Sequence, residues 1–219
     1  SIEGNIDIFG PENYIVKLIG FACGIFVLSA FCFFDDIKGI HPLVKLLGQV
    51  IAAGIVVACG IRIDNFDIPF FEGNIVIGNA FSIILTMGWI VGITNAINLI
   101  DGLDGLSTGI SIISCISLLI IFALNGSPFL AIILITALIG ALAGFLPFNF
   151  NPAKTFIGDI GSNFIGFTLS IVSILGVAKT ATAFVIVLPM IVLGLPIFDT
   201  LSAIVRRLAK GKSLKAVFQ

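Results

Sequence analysis

Apolar residues in this chain come in long runs, without the alternating or amphipathic stripes of a water-soluble domain. A helix rising about 1.5 Å per residue needs roughly 20 mostly apolar residues to cross about 30 Å of hydrocarbon. Seven stretches meet or approach that length: 14–34, 43–61, 79–97, 104–124, 128–147, 161–178 and 181–199. The fifth and sixth are near the short limit, and both contain or abut Gly and Pro, which membrane helices tolerate. The pattern predicts an all-α polytopic membrane protein, a single transmembrane domain over 1–219. Segment 62–78 interrupts it with short alternating stretches around Glu72-Gly73-Asn74, the signature of a small hairpin.

Composition agrees. The 219 residues are 58% hydrophobic and 11% charged, against about 45–50% apolar and about 25% charged in soluble domains. A net charge of −1 argues against a nucleic-acid partner. The single histidine, His41, cannot build a histidine-rich metal site. Cys23, Cys32, Cys59 and Cys115 lie in apolar runs without metal-ligand spacing and read as small buried hydrophobes. Residues 1–13 are acidic, unlike a signal peptide. Without an initiator Met, and stopping in a basic stretch at Gln219, the chain reads as a fragment of a longer bundle.

Alternating spans place 35–42, 98–103, 148–160 and 200–219 on one side. Eight of the 11 Lys and Arg fall on that side, counting Lys45 at the start of the second span, which marks the side as cytoplasmic. Asp35, Asp36, Asp101, Asp104, Asp159 and Asp199 fall on the same side, each at or near a helix end. A charge at the bilayer costs several kcal/mol unless it is used, so each is a functional candidate.

Four segments carry the chemistry. Asp35-Asp36 ends the first span, and adjacent carboxylates repel unless a cation lies close. Lys38 or Mg²⁺ would serve; the plainer alternative is a solvated helix end. Asn98, Asp101 and Asp104 are spaced three apart, so a helical turn would put them on one face. The alternative is a capping cluster suited to the helix dipole. In Asn149-Phe-Asn-Pro-Ala-Lys154-Thr-Phe-Ile-Gly158-Asp159-Ile-Gly161-Ser162, the glycines would let backbone approach a phosphate. Asp159 is there a hard ligand suited to Mg²⁺ and Lys154 a point charge for phosphate, against a plain capped loop. Arg206 and Arg207 suit a diphosphate bidentately, or anchor the chain at the headgroups. Together these are the parts of phosphoryl transfer at a membrane surface.

At these strings the chain resembles the polyprenyl-phosphate N-acetylhexosamine-1-phosphate transferases (glycosyltransferase family 4), over essentially its whole length and in order. Asp35-Asp36 looks like the family's aspartate pair. Asn95 to Leu106 is similar to its NAxNxxDGxDGL string, and Asn149 with Phe156 to Ser162 to its FN…FxGDxGS string. The resemblance implies that Asp159 ligates Mg²⁺ (or Mn²⁺), with Asn98 as a second ligand or diphosphate contact. Asp101 and Asp104 would hold the nucleotide end of the donor, with Asn149 in the same cleft. Asp35 would position or deprotonate the lipid phosphate, with Asp36 beside it.

Three departures qualify this. The family's first cytoplasmic loop would precede Ser1, and its His-rich loop would follow Gln219. The phospho-MurNAc-pentapeptide branch has a Lys four residues after the first Asp, where this chain has Gly39. That difference, with the Pro196-to-Arg207 string, favours the GlcNAc branch. The reading is GlcNAc-1-phosphate transfer from UDP-GlcNAc to undecaprenyl phosphate. It would start an envelope glycan such as teichoic acid, in a bacterial plasma membrane, with room for a homodimer. The alternative within the family is the muramyl-pentapeptide transferase. From another class, an ion-coupled transporter would keep ionisable groups near mid-bilayer. Here Lys17, near an outer end, is the one charge read as lying well inside a span.

Overall fold

The computed structural model describes residues 14–63, 65–67, 74–76 and 78–177. Six helices follow in order: α1 (Tyr14–Lys38), α2 (Pro42–Ala58), α3 (Asn79–Ile100), α4 (Leu106–Asn125), α5 (Phe129–Asn149) and α6 (Gly158–Val177). Five are long and apolar enough to cross a membrane. The exception is α2: its 17 residues span about 25 Å, shorter than the expected 43–61. The seventh expected span, 181–199, lies outside the described residues, as do Asp199, Arg206 and Arg207.

The expected hairpin between α2 and α3 is present. Strand β1 (Asn65–Asp67) pairs antiparallel with β2 (Asn74–Val76), with Phe66 opposite Ile75. His41 also finds its role here. It is the N-cap of α2, where its Nδ1 accepts from the Leu43 amide, and Pro42 occupies the first turn, where a missing N–H costs nothing.

Consecutive helices run in opposite directions. The C-termini of α1, α3 and α5 therefore share one end of the bundle with the N-termini of α2, α4 and α6. That end collects the Asp-bearing segments.

The bundle is organised around α6, which packs against α1, α3, α4 and α5. Gly166 lets it touch α3: a Cβ there would stand 2.7 Å from Thr94 Cα and 3.1 Å from Ile93 O. Close approach of small residues is how membrane helices gain packing energy without a hydrophobic driving force. Gly20 and Gly24 do the same for α1 and α2, where added Cβ atoms would strike Cys59 and Val56. Gly140 and Gly144 share that spacing, but meet nothing within 4 Å among the described residues.

Candidate active site

The site is built where four helix ends meet. Lys45, in the first turn of α2, is its centre. Its ammonium hydrogen-bonds Asp159 Oδ2 from α6 and lies 3.4 Å from Asp35 Oδ2 of α1. On the other side of Asp159, Asn98 Nδ2 from α3 donates to Oδ1 (3.2 Å) and to Ser162 Oγ (2.8 Å). Asp159 thus meets a cation on one oxygen and an amide donor on the other, at a helix N-terminus whose dipole favours its charge. Its side chain stays 43% exposed while Lys45 is 15% exposed, so the carboxylate faces an opening.

Asp35 sits in the last turn of α1, inside the helix. Its Oδ1 accepts the Ile40 amide and its backbone O accepts the Gly39 amide, folding 39–41 back over the helix end. Gly39 holds φ 59°, a left-handed conformation that a side chain such as lysine adopts reluctantly. The cation beside Asp35 comes instead from Lys45; both ion pairs among the described residues run to it. Lys38 has no part in them. Asp36 is exposed next door, within electrostatic reach of Asp159, Asp35 and Lys45.

The Asn98, Asp101, Asp104 trio does not share a helical face. Helix α3 ends at Ile100, Asp101 is its C-cap, and residues 101–105 turn before α4. Gly105, the N-cap of α4 at φ 72°, closes that turn. Asn98 stays in the last turn and reaches Asp159. Asp101 is half-buried, and burial pushes its carboxyl up to about 6, with the charge of Asp159 adding and the Ser107 hydroxyl opposing. Asp104 turns away: its Oδ2 accepts from Asn151 Nδ2 (3.2 Å) and the Ala153 amide (3.1 Å), pinning the α5–α6 loop.

Asn149 is buried in that same junction. Its Oδ1 accepts from Thr108 Oγ1 (2.7 Å) and its Nδ2 donates to Thr155 O (3.1 Å), so both ends of the amide tie the loop to α4. Lys154 is exposed on the loop, with its backbone amide on Phe148 O. Gly158 opens α6 at φ 66°, with open space around it.

The donor set fits Mg²⁺. That ion is ordinarily held by one or two carboxylates and completes its shell with waters and substrate phosphates. Asp159 and Asp35 already share a cation in Lys45, and Asp101 couples electrostatically to Asp159. No group of three or more His, Cys, Asp or Glu is arranged as a metal cage among the described residues, so an ion held here would rest on one or two carboxylates, Asp159 foremost, and take its remaining ligands from water and substrate.

Sequence reasoning counted Lys45 only toward sidedness and passed over Gln49 and Asn163, which lie directly behind the site. The usable signal was an ionisable residue inside an apolar helix, which is a functional hypothesis by default.

Spanning helices with a charged cluster at one shared end define a multi-pass membrane protein with a polar site at the mouth of its bundle. The glycosyl transferase family 4 model matches residues 18–177, and the chain belongs to that family. It is 42% identical over 91% of its length to a probable undecaprenyl-phosphate N-acetylglucosaminyl 1-phosphate transferase of Bacillus subtilis (strain 168), covering 55% of that protein. It is 34% identical over 85% of its length to a decaprenyl-phosphate N-acetylglucosaminephosphotransferase of Mycobacterium leprae (strain TN), covering 52% of it. A phospho-N-acetylmuramoyl-pentapeptide-transferase of Limosilactobacillus reuteri (strain DSM 20016) is 44% identical over 63% of the chain, covering 42% of that relative. The chain thus spans about half the length of the curated relatives it matches. By their names, these three relatives are transferases.

Proposed function

We propose that this chain carries the reacting centre of an enzyme that moves GlcNAc-1-phosphate from UDP-GlcNAc to undecaprenyl phosphate, at the cytoplasmic face of a bacterial plasma membrane. The lipid-linked product would start an envelope glycan of the teichoic-acid type. The observation that carries this reading is the meeting of Asp35, Lys45, Asn98 and Asp159, from four helices, at one end of the bundle.

An oxygen of the lipid phosphate attacks the sugar-bearing phosphorus of the donor. The bond from that phosphorus to the bridging oxygen breaks, and UMP leaves with the oxygen. Asp159, with Asn98 beside it, would hold Mg²⁺, which would supply charge neutralisation for the diphosphate, the main electrostatic need of such a reaction. Asn98 holds Asp159 in place. Lys45, whose ammonium lies between Asp35 and Asp159, would offer its positive charge to the incoming phosphate. Asp101, half-buried and within electrostatic reach of Asp159, would meet the nucleotide end of the donor. A phosphate monoester has a second pKa near about 6 and is mostly dianionic at neutral pH, so the acceptor needs little help from a base. Asp35 then acts by orientation, without forming a covalent intermediate. Trapping a phospho-Asp35 adduct with UDP-sugar alone would overturn this step.

The identity to the Limosilactobacillus relative keeps a muramyl-pentapeptide donor as the second reading. A UMP-release assay on the complete protein separates the two, comparing UDP-GlcNAc with the muramyl donor, with and without Mg²⁺. Mg²⁺-dependent release from UDP-GlcNAc is expected, and no release from either donor would refute the proposal.

A further inference from the structure

Directly behind the site, one turn deeper in the bundle, three side-chain amides meet. Gln49 Nε2 on α2 donates to Asn163 Oδ1 on α6 (2.8 Å) and to Asn95 Oδ1 on α3 (3.3 Å). Asn95 Nδ2 returns a bond to Gln49 Oε1 (2.6 Å) and also reaches Val91 O (2.9 Å). Asn163 Nδ2 donates to the backbone oxygen of Asp159 (2.7 Å). Gln49 is 1% exposed and Asn163 is fully buried.

The placement follows helical spacing. Gln49 is four residues after Lys45, Asn95 three before Asn98 and Asn163 four after Asp159, so each amide lies on the same face as a site residue of its own helix. Helices α2 and α6 run away from the charged end and α3 runs toward it, so all three amides fall on the deeper side. Two rungs result, each with one residue from α2, α3 and α6. The outer rung is Lys45, Asn98 and Asp159. The inner rung is Gln49, Asn95 and Asn163.

The inner rung has one consistent orientation. Turning the Gln49 amide over would set its oxygen against Asn163 Oδ1 and its nitrogen against Asn95 Nδ2, pairing acceptor with acceptor and donor with donor. Apolar contacts let a helix slide or rotate by fractions of an ångström, whereas directional bonds between buried amides do not. Asn163 also grips the backbone of Asp159 itself.

We infer that Gln49, Asn95 and Asn163 are positioning residues: they fix the register of α2, α3 and α6 so that Lys45 and Asn98 meet Asp159 in the geometry that takes a divalent cation. The inference rests on the metal-dependent reading of the site. It assigns the three amides no contact with substrate.

The test uses the complete protein in detergent, with Mn²⁺ as a spectroscopic probe. Mn²⁺ binding is read by EPR without substrates, thermal unfolding is recorded alongside, and UMP release is measured as Mn²⁺ is varied. Gln49→Met keeps side-chain length and removes the amide. It should weaken Mn²⁺ binding by about ten- to a hundredfold and lower kcat similarly, the usual cost of losing support behind a metal ligand, while KM for the sugar nucleotide holds. A lowered unfolding temperature with Mn²⁺ binding unmoved would overturn the proposal, since that is what a merely structural role gives. Should Gln49→Met not fold, the exchange Gln49→Asn with Asn163→Gln decides. Each single change should weaken Mn²⁺ binding and the pair should recover it; simple addition of the two losses would overturn the inference. The EPR reading stands without turnover, so a wild type that binds Mn²⁺ but releases no UMP would fault the proposed reaction and leave the rung assignment intact.

Discussion

Helices α5 and α6 invert the rule for water-soluble proteins. Among the described spanning helices α5 has the highest mean hydropathy, 2.7, and only 22% of its apolar stretch is buried. α6 has the lowest, 1.3, and 72% of its stretch is buried. In a bilayer the most apolar helix belongs outside, against lipid, where every polar group lacks a partner. The polar helix belongs in the middle, where Asp159, Ser162 and Asn163 are each bonded to a neighbour. Among the described spanning helices, the least apolar and most buried one, α6, carries Asp159.

The largest effect expected from breaking this contrast is at Asp159. Asp159→Ala should lower UMP release by about a thousandfold or more, the scale of losing a preorganised charge at a reacting centre. Near-wild-type turnover would remove the assignment. Lys45→Met comes next, at roughly a hundredfold in kcat for one lost electrostatic contact. Lys45→Arg should recover part of that, because charge is kept while the planar fork fits the gap between two carboxylates differently.

Stability sharpens the same comparison. Gly166→Ala on α6 drives a methyl into the α3 backbone and should cost about 1–3 kcal/mol, as overpacking does. Gly144→Ala on α5 meets nothing among the described residues. It should be neutral or gain up to about 1 kcal/mol from helix propensity. Thermal unfolding in detergent reads both, and equal losses at the two glycines would end the contrast between inner and outer helix.

The smallest effect is a pH dependence. The carboxyl of Asp101 is held up near about 6, chiefly by burial, from an ordinary value of 3.8. A raised carboxyl binds its proton more tightly in the folded protein. Its contribution to stability is therefore full below the ordinary value and is lost as pH rises through about 6. Asp101→Asn should raise the unfolding temperature at pH 8 more than at pH 5. A shift independent of pH would mean that this carboxyl is not held up.

Much of this was legible in the sequence, because long apolar runs report spans directly and Asp-Gly strings inside them are costly enough to stand out. The helices α1 to α6 follow from the first signal and the candidate aspartates from the second; the β1–β2 pair follows from the alternation around 72–74, and the nearness of Asn98 to Asp159 is implied by the family resemblance. Lys45 was obscured because one Lys near a span end looks like a positive-inside anchor. Gln49 and Asn163 were obscured because a single amide on an apolar face carries no periodicity; only the packing of three helices reveals the partners. Asp104 was placed on the Asn98 face because a three-residue spacing assumes an unbroken helix, and the turn at 101–105 ends it.

The central claim is that Asp159 is the anchor of a divalent-cation site shared by four helices. Mn²⁺ titration of the complete protein, followed by EPR, tests it most directly with Asp159→Asn beside Asp104→Asn, whose carboxylate pins the 151–153 loop. The account predicts that Asp159→Asn loses at least about tenfold in Mn²⁺ affinity while Asp104→Asn binds like wild type. Unchanged binding in Asp159→Asn, or an equal loss in both, would contradict it.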